Sequence, residues 1–149
     1  MCAIVDIGDK VLEKSRKVYI MVRKAMEKNW DKEWYFSIGM HHTFSDFGQV
    51  NYANVEHIQW PGEKQVIEDA SVLAKGDHIQ CGRFHVSPHL LPLKKSILAG
   101  EWLDNTHLLK AEIPIGSIMA IGHNYRCSRI LNGKIVYLPN RLILLEQLM

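Results

Sequence analysis

The chain has 149 residues, of which 47% are apolar and 23% charged, with a net charge of +2. That length suits one core burying about 68–70% of the surface an unfolded chain exposes, and the composition excludes a disordered or low-complexity protein. A charge this small excludes the many phosphate contacts of duplex DNA binding, and the apolar run 113–121, broken by Pro114 and Gly116, is too short to cross a bilayer.

The opening Ala3, Ile4 and Val5 is followed at once by Asp6 and Asp9, without the basic stretch and apolar core of a signal peptide, so a cytoplasmic location is expected. From Lys17 to Arg23, Val18, Ile20 and Val22 alternate with Tyr19 and Met21, a period of two that predicts a strand. The polar stretch Lys28 to Glu33 should turn the chain into a second strand, Trp34 to Ile38, stopped by Gly39. Residues 40–78 read as loops with one short strand within Val55 to Trp60. Ile79 to Val86 reads as a strand, which places Phe84 and Val86 in the core and Arg83 and His85 on the opposite face. Ser87-Pro88 supplies an N-cap followed by proline at the first helical position, so a helix should run to near Gly100, with Pro92 tolerable only if the helix begins there or its first turn is irregular.

The last third reads as strands at His107 to Ile113, Ser117 to Ile121, Tyr125 to Leu131, Lys134 to Leu138 and Leu142 to Leu145. Asn132-Gly133 is a two-residue hairpin signal of the type I′ kind. The predicted fold is a single α+β domain over 1–149, a twisted, mostly antiparallel sheet with one or two helices.

Charge is unevenly spread. Residues 1–34 carry eight basic and six acidic groups, residues 35–80 two and six, and residues 81–149 eight and four, so the last third is the basic part. This suits a local pocket for a small anion, with Arg83, Arg126 and Arg129 able to grip phosphate or carboxylate in a bidentate way. Gly82 permits close backbone approach, and Ser87 with the helix start offers backbone N–H groups to an anion. The expected ligand-binding residues are Arg83, His85, Ser87 and Arg126.

Three cysteines, Cys2, Cys81 and Cys127, are an odd number without a C-x-x-C pair, so neither disulfides nor a zinc site is expected. Cys81, His85 and His89 would line one face of a helix as zinc ligands, but Gly82, Phe84, Val86 and Pro88 favour a strand, where His89 points elsewhere. No metal or cofactor is expected. His41-x-Thr43 and His85-x-Ser87 are similar to the paired motifs of two-histidine phosphoesterases, in which one imidazole is base and the other acid. Met1-Cys2-Ala3-Ile4-Val5 resembles the start of class II glutamine amidotransferases for these few residues, and Cys2 is expected to be a buried small residue.

Met1-Cys2-Ala3-Ile4, Val18-Tyr19, Cys81-Gly82-Arg83-Phe84-His85-Val86 and Glu112-Ile113-Pro114-Ile115-Gly116-Ser117 together resemble a group of small proteins of phages, prophages and gut bacteria. These start Met-Cys-x-Ile and carry a Gly-Phe-His strand, a helix, and an Ile-Pro-x-Gly-Ser turn leading to a C-terminal sheet. The resemblance implies no agreed activity. The strand order and turn also resemble the ADP-ribosyltransferase fold, although the sequence has neither its Glu-x-Glu pair nor its Ser-Thr-Ser strand. The expectation is an accessory protein, phage-type or bacterial, that binds a small anionic, nucleotide-like ligand or a host protein, and neither duplex DNA nor a membrane. The alternative is a phosphodiesterase or nucleotide-modifying enzyme using His85 and His41.

Overall fold

A computed structural model describes residues 3–24, 34–37, 58–59, 64–66, 72–79, 83–102, 106–126 and 128–149. Among them are the strands β1 (Ala3–Val11), β2 (Arg16–Lys24), β3 (Trp34–Ser37), β4 (Ile58–Gln59), β5 (Lys64–Val66), β6 (His78–Ile79) and β7 (Val86–Ser87). After these come helix α1 (Leu90–Leu98), then β8 (Thr106–Ile113), β9 (Ile118–Asn124), β10 (Ile135–Pro139) and β11 (Arg141–Gln147). The sheet order is β5-β11-β8-β2-β7-β10-β9-β1-β6, with β3 on β2 and β4 on β3, every pair antiparallel. This is the α+β fold, a mostly antiparallel sheet with one described helix, that the residue pattern predicts.

Two three-stranded halves, β11-β8-β2 and β10-β9-β1, are joined by the short β7, whose Val86 pairs with both Ile20 and Tyr137. The halves curl, because one apolar cluster takes side chains from both. Val18, Ile20 and Val22 of β2, Leu109, Ala111 and Ile113 of β8, and Leu142 and Leu144 of β11 pack with Phe84, Val86 and Met119, and with Ile121 and Tyr137 at the margin. Each fully buried valine, leucine, isoleucine, phenylalanine or methionine among them contributes about 1.5–3 kcal/mol. Phe84 and Val86 are in this core, as the alternation predicts.

The outer faces are covered separately. Leu73 and Ile79 pack over Ala3, Val5, Ala120, Val136 and Leu138. On the other half, Leu93 of α1 and Leu131 pack on Met21 and Leu108, with Leu90 and Ile97 of the helix alongside, an i, i+3, i+7 stripe. The sheet is therefore apolar on both faces at Leu108-Leu109 and Ile20-Met21.

Four sequence expectations are corrected. Among the described residues of Ile79 to Val86, Ile79 and Val86 are in strands and Arg83 to His85 form an irregular link. The helix is capped at His89, not Ser87: the Ser87 hydroxyl accepts from His89 N at 3.1 Å and donates to His89 O at 2.7 Å, a local turn two residues before the helix. Pro92 thereby falls in the first turn, where its missing N–H costs no hydrogen bond. Tyr125 to Leu131 is no strand: among its described residues the chain turns, with Asn132 N bonded to Ser128 O at 2.9 Å and Leu131 N to the Ser128 hydroxyl at 3.0 Å. The β9–β10 hairpin consequently has a long connection, closed by Gly133 N to Asn124 O at 2.8 Å, in which Gly133 but not Asn132 has a positive φ. Trp34 to Ser37 does pair antiparallel with β2, as the hairpin reading requires.

Candidate functional site

A cavity of about 630 Å³ opens beside the β1–β2 turn, on the face of β9 that curls toward the core. Its apolar wall is Ile7, Val11 and Leu12 with Met119 and Ile121. Three cations, Lys10, Lys14 and Arg16, line it against one carboxylate, Glu13. The Arg16 guanidinium lies 5.7 Å from the centre of the Tyr137 ring, which fixes that cation over an aromatic face of the same concave surface.

Backbone contacts fix the turn that carries these groups. Pro114 to Ser117 is a type II turn, closed by Ser117 N to Pro114 O at 3.3 Å, and its third residue, Gly116, takes φ 85°, a conformation costly to any side chain. This turn bonds twice to the middle of the β1–β2 connection, Gly116 N to Leu12 O at 2.9 Å and Leu12 N to Ser117 O at 2.8 Å. The Ile-Pro-x-Gly-Ser segment is thus a buttress of the cavity.

Arg83 supports the same region from the outer face. It is 2% exposed, and its guanidinium grips Asp9 with Nη1 to Oδ1 at 3.1 Å and Nη2 to Oδ2 at 2.8 Å, while Nη1 also donates to Leu138 O at 3.0 Å. Asp9 Oδ2 also accepts from Leu73 N at 3.0 Å. Asp9 immediately precedes Lys10, so this pair ties β1, β10 and the 72–79 segment together under the cavity. Arg83 and His85 do not emerge to solvent from a strand face; both are buried.

His85 is 3% exposed, and burial pushes its imidazole down to about 3, against a partly offsetting bond to the Arg83 carbonyl. The ring is therefore neutral, Nδ1 donates to Arg83 O at 3.0 Å, and Nε2 has no partner among the described residues. A neutral, enclosed imidazole is unsuited to the acid role of the phosphoesterase reading; His41 lies outside the described residues. Ser87 is also buried, with its hydroxyl engaged on His89.

Arg126 sits elsewhere, at φ 53° in the β9–β10 connection, beside a more open cavity of about 550 Å³ lined with Glu101, Ser128, Arg129 and Asn132. Its backbone N–H donates to Asn132 Oδ1 at 3.2 Å and its guanidinium lies over Tyr125. The Glu101 carboxylate here accepts from Ser96 Oγ at 2.5 Å, Ser128 Oγ at 2.8 Å, Arg129 N at 2.8 Å and Ile130 N at 3.4 Å. Desolvation pushes this carboxyl up, but these four bonds outweigh it and hold it below the usual carboxylate range. Glu101 is thus the anion of this cavity, supplied by the chain itself. Of the four expected ligand residues, Arg83, His85 and Ser87 are consecutive odd positions of one buried segment, and Arg126 lines a separate cavity.

Sequence reading missed the groove residues. Lys10, Lys14 and Arg16 stand in a mildly basic N-terminal third, and only the spacing of four and two between them marks a turn with its cations on one side. Among the described residues no group of three histidine, cysteine or acidic side chains converges as a metal site, and no helix is long and apolar enough to cross a membrane. Compared with known proteins, the chain matches no family model, no curated protein and no solved structure.

Proposed function

We propose that the protein acts by binding a small anionic ligand with an apolar or aromatic body, nucleotide-like in size and charge, in the groove beside the β1–β2 turn. The observation that carries this reading is the pairing of an apolar wall, Leu12, Met119 and Ile121, with the cations Lys10, Lys14 and Arg16 around one 630 Å³ cavity. Small-molecule sites are about 300–1,000 Å³, mostly apolar, with a few convergent polar groups. Such a role is that of an accessory protein, of the phage or bacterial kind that the Met-Cys-x-Ile resemblance implies.

Thermal shift against AMP, ADP and cyclic AMP tests it. A ligand at a hundred times its Kd adds about 2.7 kcal/mol, which for this chain length raises Tm by roughly 5–11 °C. The Lys14→Ala/Arg16→Ala double variant should lose at least about tenfold in affinity, the equivalent of one charge-assisted contact. Equal binding by the double variant would move the site to the Arg126 and Arg129 cavity. No shift with any of the three would replace this reading by a protein partner, a host protein in the phage setting.

A further inference from the structure

We infer that His123, held by Asp6, is a general base at the head of this groove and acts on a phosphate diester bound there, an inference that rests on the ligand reading above. The strand register sets the geometry. Ile4 pairs with His123, Ile7 with Ile121 and Lys10 with Met119, while Ile121 and Tyr137 pair with each other. Directly paired residues and residues two apart share a face, so His123, Ile121 and Met119 of β9 look the same way as Tyr137 and Lys10. Gly122 and Val5 face the other way, and Val5 belongs to the outer cluster. The imidazole therefore lies on the cavity's face of the sheet, one step of the strand period beyond Ile121.

Two features bring Asp6 to it. The register shifts between Val5 and Ile7, so β1 carries an extra residue there, and such a bulge re-aims a side chain. Opposite, Gly122 lets β1 approach: a Cβ at that position would collide with the Ile4 carbonyl. The result is a bond of 2.8 Å between His123 Nδ1 and Asp6 Oδ2. A carboxylate only accepts, so Nδ1 carries a proton, and whenever the ring holds one proton its lone pair is on Nε2. No hydrogen bond among the described residues reaches Nε2. The two side chains are 35% and 50% exposed, which admits water, in contrast to the enclosed His85.

Met119, opposite Lys10, stands four residues from His123, about 13 Å along the strand. That span suits a ligand whose phosphate lies between the reach of the Lys10 side chain and His123 Nε2, with its apolar part on Ile7 and Ile121. Nε2 takes a proton from water as the water oxygen bonds to phosphorus. The P–O bond to one alcohol breaks with its electron pair going to that oxygen, the cations offset charge on the non-bridging oxygens, and the imidazolium returns its proton to the leaving oxygen or to solvent. One water is consumed, and a phosphate monoester and an alcohol are formed.

Hydrolysis of bis(p-nitrophenyl) phosphate, followed by p-nitrophenolate absorbance, tests this, with thermal shift by p-nitrophenyl phosphate as an independent measure of binding. We expect turnover by the wild-type chain and a loss of about 100-fold or more in kcat for His123→Ala. That variant should bind p-nitrophenyl phosphate unchanged and recover part of its rate with added imidazole. Asp6 is a positioning residue, so Asp6→Asn should lower kcat with KM retained, and His89→Ala, exposed at the start of α1, should match wild type. Binding of p-nitrophenyl phosphate without turnover, turnover that survives His123→Ala, or a failure of imidazole to restore rate in a folded His123→Ala variant would each reduce the pair to an ion pair between β1 and β9. If neither p-nitrophenyl phosphate nor any of the three nucleotides binds, the ligand reading fails and this inference fails with it; nucleotide binding without binding of p-nitrophenyl phosphate or diester turnover overturns this inference alone.

Discussion

Arg83→Met tests the buried ion pair most directly, because methionine keeps much of the aliphatic volume and removes the charge. The change leaves Asp9, whose side chain is 8% exposed, with the Leu73 N–H and without the two guanidinium bonds at 2.8 and 3.1 Å. Removing one partner of a buried pair costs about 3–5 kcal/mol, because the other charge remains buried. Against a total of about 5–15 kcal/mol for a domain, that is about a fifth or more of the stability. At roughly 2–4 °C per kcal/mol, Tm should fall by about 6–20 °C. Urea unfolding followed by tryptophan fluorescence measures it, and the Arg83→Met/Asp9→Leu double variant should recover most of the loss, since an apolar pair can replace a buried ion pair at little cost. A loss below about 1 kcal/mol in the single variant, the range of exposed pairs, would refute the enclosed pair and return Arg83 to solvent.

Two other outcomes follow from titrating groups. His85 has a folded value of about 3, below its ordinary 6.5, so only the unfolded chain takes up this proton between those values. Stability is then fully present above 6.5 and falls with pH toward 3 by about 1.4 kcal/mol per unit, and His85→Gln should flatten the slope of unfolding free energy in that window. Glu101→Ala should cost about 1–2 kcal/mol near neutrality by stripping the cap from the Ser128 turn. Because its carboxyl is held low, the difference from wild type should persist above the ordinary carboxylate range and close as pH falls below it, checked by urea midpoints at several pH values.

The sequence pattern is readable where large apolar residues recur at a period of two, even where, as in β2 and β8, the opposite face is buried too. Val18, Ile20 and Val22 announce β2, and the runs at 107–113, 134–138 and 142–145 announce β8, β10 and β11. β1 was illegible as a strand, because Asp6, Asp9 and Lys10 break the alternation at its register shifts. Tyr125 to Leu131 has the look of a strand, but its fold is decided by Glu101, which lies 27 residues from Ser128 and caps the turn. Arg83 on a short apolar stretch reads as a solvated charge, and the partner that buries it is 74 residues away. The Asp6–His123 pair spans 117 residues. Local periodicity carries no information about such contacts, so the core was accessible from the sequence and the site was not.

Arg83 and the Pro114–Ser117 turn share one consequence for the groove. The cations Lys10, Lys14 and Arg16 are exposed side chains, and a ligand that had to order a mobile turn as well as three long side chains would lose much of its affinity to entropy. Here the backbone is held in advance at both ends of the cavity wall. Asp9, next to Lys10, is fixed by Arg83 and by Leu73 N, and Leu12, two residues before Lys14, exchanges two backbone bonds with Gly116 and Ser117. Only side-chain rotamers remain to be ordered on binding, at about 0.5–1.5 kcal/mol each. The segments that stood out in the sequence, around Arg83 and at Ile-Pro-x-Gly-Ser, are therefore conditions for the site without being part of it. The residues proposed to meet the ligand are the ones on the turn between them.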